Sequence, residues 1–100
     1  MEVSATPSVV PSAPTALSAT SGPATGQVSL VWTPSQTATS YRVKRSLYSG
    51  GSYSTVTTVV NGGAYVNKGL HTGTRYYYIV SAINASGESE PSNQASAIAK

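Results

Sequence analysis

The stretch from Leu70 to Ser92, LHTGTRYYYIVSAINASGESEPS, sets a tyrosine, Tyr76, six positions after a leucine and then alternates Tyr76, Tyr78, Val80 and Ala82 on one face. Side chains on a strand point to opposite faces in turn, so these four share one side and the residues between them take the other. The pattern predicts a central strand of a two-sheet sandwich, one face inward and one face open.

Outward from that strand, the chain breaks into short alternating runs separated by turn residues, the spacing of an all-β sandwich. A first strand is expected over Thr15 to Thr20, with Leu17 and Ala19 inward. The cluster Ser21-Gly22-Pro23-Ala24-Thr25-Gly26 turns the chain, and Gln27 to Thr33 then places Val28, Leu30 and Trp32 on one face. A third strand runs from Ser40 to Leu47, with Tyr41 and Val43 inward and Arg42, Lys44 and Ser46 outward. Ser49-Gly50-Gly51-Ser52 makes a hairpin turn into Tyr53 to Val60, which Asn61-Gly62-Gly63 closes. A short strand carrying Tyr65, the corner from Leu70 to Tyr76, the strand to Ile83, the turn Ala85-Ser86-Gly87 and a last strand over Ser92 to Ala99 complete seven.

Before this pattern, residues 1–12 contain Pro7 and Pro11 among small polar residues and show neither strand nor helix periodicity. They read as a stiff linker, with residues 13–100 as the folded domain. Met1 followed directly by such a stretch reads as the start of a piece cut from a longer protein.

With 100 residues and no cysteine, one domain must hold its core by packing alone. The net charge of +3 comes from Arg42, Lys44, Arg45, Lys68, Arg75 and Lys100 against Glu2, Glu88 and Glu90. So sparse a charge makes no basic stripe, and nucleic acid is not an expected partner. No run reaches the 18 or more apolar residues of a membrane helix, so membrane insertion is not expected.

The layout resembles a fibronectin type III domain over Ser12 to Lys100. The residues that carry the resemblance are Pro14 and Leu17, the LVW group with Trp32, the SYRV group with Tyr41, Tyr65, the run from Gly69 to Tyr76, and Asn84 with Gly87. Immunoglobulin domains place their core tryptophan on the third strand beside a disulfide; here it sits on the second strand and cysteine is absent. The resemblance implies a seven-stranded antiparallel immunoglobulin-like sandwich. It implies a core built on Trp32, Tyr41, Tyr65, Leu70, Tyr76 and Tyr78, in which the Tyr76 hydroxyl bonds backbone near Leu70 and Trp32 packs on Tyr41.

The residue inventory argues against catalysis. The chain has no aspartate and a single histidine, His71, in a polar corner loop without an orienting partner. Glu88 and Glu90 lie two positions apart in a loop, Gly87 to Pro91, that reads as exposed, so they are expected to be solvated charges and not a glycosidase acid and base. Too few oxygen ligands gather for calcium, and no glycine loop leads from a strand into a helix to hold phosphate. Catalytic residues, cofactors and bound metals are therefore not expected.

Two surface groups are candidates for binding. Arg42, Lys44, Arg75, Tyr77 and Ile79 should share the outward face of the third and sixth strands, where an aromatic among cations suits a sugar ring or an acidic loop. The plainer reading is sheet cover, with Arg and Lys stems draped over Tyr77 and Ile79. Tyr48 and Tyr53 flank the Gly50-Gly51 turn, either as a stacking platform or as an ordinary cross-strand pair.

Strands that reverse at every connection leave the termini at opposite ends, which suits insertion between neighbours; a strand of eight to ten residues spans about 26 to 34 Å. The low charge, hydroxyl-rich surface and glycine-rich hairpins resemble fibronectin type III modules of bacterial secreted polysaccharide-degrading enzymes. That resemblance implies a monomeric extracellular accessory module that spaces flanking domains, with recognition of polysaccharide or protein as the alternative. Asn84-Ala85-Ser86 would be a glycosylation acceptor in a eukaryotic secretory route.

Truncating the core indole, Trp32→Ala, should cost roughly 3 to 5 kcal/mol, and Tyr76→Phe on the order of 1 kcal/mol for one hydrogen bond. Urea titrations check both; an unchanged midpoint for either would contradict the strand registry.

Overall fold

The computed structural model describes residues 10–60 and 62–100. Eight strands form among the described residues: β1 (Thr15–Ser21), β2 (Val28–Thr33), β3 (Ser40–Ser46), β4 (Ser54–Val60), β5 (Ala64–Asn67), β6 (Arg75–Asn84), β7 (Gly87–Glu88) and β8 (Ala95–Ile98). One antiparallel sheet has the order β1-β2-β5; the other runs β4-β3-β6, with β7 and β8 both on the far edge of β6. The seven expected strands are present, and the two-residue β7 is an addition. Residues 1–9 of the expected linker and Asn61 of the turn before β5 lie outside the described residues.

The inward positions assemble the core. Val28, Leu30 and Trp32 of β2 face Tyr41 and Val43 of β3 and Tyr76, Tyr78, Val80 and Ala82 of β6, all of them buried. Trp32 meets Tyr41 with ring centroids 5.6 Å apart and planes tilted by 58°. Tyr65 and Leu70 are half-buried and pack on the margin of this cluster. Where β2 passes the start of β5, the Trp32 N–H donates to the Gly63 carbonyl at 2.8 Å. A Cβ on Gly63 would stand 2.4 Å from the Trp32 oxygen, so only glycine permits that approach.

Each buried core tyrosine spends its hydroxyl on a segment that leads from one sheet to the other. Tyr41 Oη accepts from Ser35 N–H at 2.9 Å and donates to the Ser35 carbonyl at 3.2 Å, holding the β2–β3 loop. Tyr76 Oη accepts from His71 N–H at 3.0 Å, holding the β5–β6 corner. Tyr78 Oη donates to Asn67 Oδ1 at 2.8 Å, holding the end of β5. Burial pushes the Tyr78 phenol far above its ordinary pKa, so it remains a neutral donor.

The final strand is shorter than its composition suggests, beginning at Ala95 and not Ser92. Pro91 has no N–H for the ladder, and serine side chains take over between β7 and β8. Ser89 Oγ accepts from Ala82 N–H at 2.9 Å and Ser92 Oγ from Val80 N–H at 3.0 Å, while their own N–H groups donate to the Ala82 and Val80 carbonyls. Asn93 then grips β1 with both ends of its amide, accepting from Leu17 N–H and donating to the Leu17 carbonyl, each at 2.9 Å.

That contact places the start of β1 beside the approach to β8. At the far end of β1, the Lys100 carbonyl accepts from Gly26 N–H at 2.7 Å and the Thr72 hydroxyl at 2.9 Å. The chain therefore enters the sandwich at one end and leaves at the other.

Ser92→Ala strands the buried Val80 N–H, which should cost about 1 to 3 kcal/mol. Urea unfolding should show a lower midpoint at unchanged slope; an unmoved midpoint would mean that the serine is not a ladder partner.

Candidate functional site

On the outward face of the larger sheet, register sets Arg42 opposite Ser81, Lys44 opposite Ile79 and Ser46 opposite Tyr77. Across the other edge of β6, Tyr77 lies opposite Ser96 and Arg75 opposite Ile98. Arg42, Lys44, Tyr77 and Ile79 thus adjoin as expected, while Arg75 stands at the end of the row and donates to Ser96 Oγ at 3.2 Å.

Glu88 changes the character of this face. The β6–β7 hairpin sets it opposite Ile83, from where its carboxylate reaches Arg42 Nη1 at 2.6 Å and Lys44 Nζ at 3.0 Å. Ser81 Oγ also donates to it. Glu88 is therefore not the solvated charge that its loop composition suggests; strand pairing swings it back over the sheet. The Ser81 hydrogen bond is the largest influence on its carboxyl, which it holds below the usual range against the opposing effect of burial, with Lys44 and then Arg42 adding to the lowering. A carboxyl held ionised in this way is unsuited to general-acid work. Glu90 is exposed, and its carbonyl accepts from the Ser89 hydroxyl at 2.7 Å. Among the described residues no group of three His, Cys, Asp or Glu side chains is placed to hold a metal ion.

The two flanking tyrosines of the β3–β4 hairpin part company. Tyr53 is half-buried, its hydroxyl bonded to Gln94 Oε1, which also accepts from Gly50 N–H at 2.6 Å while Gln94 Nε2 donates to Ser49 Oγ at 3.1 Å. Its phenol pKa is raised, chiefly by burial and slightly by Tyr77, against an opposing hydrogen bond from Gly50. Tyr48 stands apart from Tyr53, 69 % exposed, with its backbone N–H on Ser46 Oγ at 3.0 Å. That bond gives the buried Ser46 hydroxyl a partner.

Tyr48 instead borders an open groove of about 770 Å³ between the β3–β4 hairpin and the β5–β6 corner, together with Arg45, Thr55, His71, Thr74 and Tyr76. The extra residue at Val56, where the β3–β4 register shifts, twists the hairpin at this point. Arg45 was not singled out by the residue pattern, yet the period that turns Tyr41 and Val43 inward carries on to it. Its guanidinium carbon lies 5.2 Å from the Tyr76 ring centroid, and Nη1 donates to Asn67 Oδ1 at 3.1 Å.

A family model described as fibronectin type III domain matches residues 12–98. An amylopullulanase of Thermoanaerobacterium saccharolyticum is 37% identical over 83 residues, which are 82% of this chain and 6% of that protein. A poly(3-hydroxybutyrate) depolymerase of Ralstonia pickettii is 42% identical over 90 residues, 89% of this chain and 17% of that protein. The chain therefore spans only a small part of these curated relatives. The crystal structure of an Fn3-like protein from Clostridium thermocellum superposes with a TM-score of 0.80 at 41% identity, covering 86% of this chain and 90% of that one.

The Glu88 cluster makes stability depend on pH in a definite direction. Its folded-state pKa lies below the unfolded value of about 4.3, so its contribution is complete above that value and disappears as pH falls through the lower one. Glu88→Gln should flatten the acid limb of a stability profile and at neutral pH cost no more than about 1 kcal/mol, shrinking with salt. Urea midpoints taken across the acid range check this, and an acid limb identical to the parent's would contradict it.

Proposed function

This chain belongs to the fibronectin type III family, and we propose that it serves as a non-catalytic spacer and accessory module within a larger secreted bacterial enzyme that degrades polysaccharide. The observation that carries this reading is the placement of the chain ends. Entry beside Asn93 and exit beside Gly26, at opposite ends of the sandwich, support its use as a strut between flanking domains. The amylopullulanase and the depolymerase, each many times longer than the matching part, support membership of a multidomain chain. The names of those two proteins support a polymer-degrading setting. A stiff segment over residues 1–12 would lengthen the strut, and a monomer suffices for the task.

Recognition of carbohydrate or protein is the second reading, and the exposure of Tyr48 favours it. The sheet face around Tyr77 is less available than its composition implies, since Glu88 already engages Arg42 and Lys44. Those cations would have to leave an internal carboxylate to meet an external one.

Pull-down of the isolated domain on insoluble cellulose, chitin and unsubstituted xylan separates the two. No retention is expected on any of them. Retention abolished by Tyr77→Ala or Tyr48→Ala would replace the spacer with a binder.

A further inference from the structure

The groove between the β3–β4 hairpin and the β5–β6 corner has no part in a spacer's work, yet it is organised around one cation. Arg45 is the only acidic or basic side chain among its lining residues besides His71. Its orientation is set from two sides, by the Tyr76 ring beneath it and by Asn67, which is 4 % exposed and also takes the Tyr78 hydroxyl. Holding a guanidinium in this way removes much of the rotamer freedom that binding would otherwise have to quench.

Nothing in the described residues neutralises it. Both ion pairs found there end on Glu88 and involve Arg42 and Lys44. Arg45 lies opposite Tyr78, five positions along β6 from Ile83, where Glu88 pairs. At the usual rise that is about 17 Å, beyond a Debye length at physiological salt. The other described glutamate, Glu90, follows on the same loop.

The rest of the lining narrows the ligand class. Ser52, Ser54, Thr55 and Thr74 border the groove, and none of their hydroxyls is hydrogen-bonded within the described residues. Hydroxyls that can donate and accept match the ring hydroxyls of a sugar, which do the same. Tyr48, largely exposed on the rim, offers an aromatic face for the apolar side of a pyranose. A guanidinium binds a carboxylate through two parallel hydrogen bonds.

We infer that this groove binds oligosaccharides bearing a uronate carboxylate, with Arg45 on the carboxylate, Tyr48 against a ring and the serine and threonine hydroxyls on the sugar hydroxyls. This deepens the recognition reading by giving Tyr48 a ligand class, and it leaves the strut geometry untouched.

The test is a two-dimensional NMR titration of the folded domain with trigalacturonate, with the neutral galactose trimer and an acidic hexapeptide as parallel arms. Trigalacturonate should shift amides of Arg45, Thr55, His71 and Thr74, weaken with added salt, and bind more tightly than either control. Arg45→Gln should weaken binding by about tenfold or more, the loss expected for a hydrogen-bonded charge. Because Arg45 also packs on Tyr76, the exposed Tyr48→Ala serves as the variant that leaves the core intact, and it should lower affinity several-fold. Equal binding of the neutral trimer, tighter binding of the peptide, or no shift with trigalacturonate would each overturn the inference. A silent titration beside Tyr77-dependent retention on neutral polymer would overturn the groove and the spacer together; a silent titration with no retention would overturn the groove alone.

Discussion

Without a disulfide, the two sheets of this sandwich are tied by the hydroxyls of Tyr41, Tyr76 and Tyr78. Each ring fills core volume as a hydrophobe while its polar tip reaches a segment that crosses between the sheets. A phenylalanine would fill the volume and leave the crossover held by packing alone. The arrangement is self-reinforcing: a phenol buried this deeply costs free energy unless it is satisfied, so the crossover must sit where the hydroxyl can find it. Loop position and core packing therefore specify one another.

The same economy governs the edge of β6. Proline interrupts the incoming strand, and Ser89 and Ser92 supply the acceptors that a continuous ladder would have supplied. The outcome is a sheet whose central strand is covered along its length although its neighbour is broken into β7 and β8. Short interrupted edge strands also offer little template for pairing with another chain.

Charge is distributed with a comparable asymmetry. Arg42 and Lys44 converge on Glu88, so one carboxylate offsets part of the positive charge on that sheet face. Arg45, one position further along β3, stacks on an aromatic ring and binds an amide oxygen without meeting a carboxylate. Adjacent basic residues on one strand thus occupy opposite faces and opposite electrostatic situations. Arg45 thus sits in a concave, hydroxyl-bordered groove with no carboxylate partner among the described residues.

What residue order determined by itself was the face of each strand: the alternation of Tyr76, Tyr78, Val80 and Ala82, the Val28, Leu30 and Trp32 row, and the turns between them. These are local properties, because a two-residue period follows from the geometry of one extended chain. It also held the clue to Arg45, which continues the inward row of Tyr41 and Val43 but is masked by its charge. Tertiary structure alone decided the pairing of Glu88 with Arg42, the capture of Tyr53 by Gln94, the serine ladder and the separation of Tyr48 from Tyr53. Each of these joins residues distant in the chain, across a register that depends on how the sheets close, and no local pattern encodes the partner.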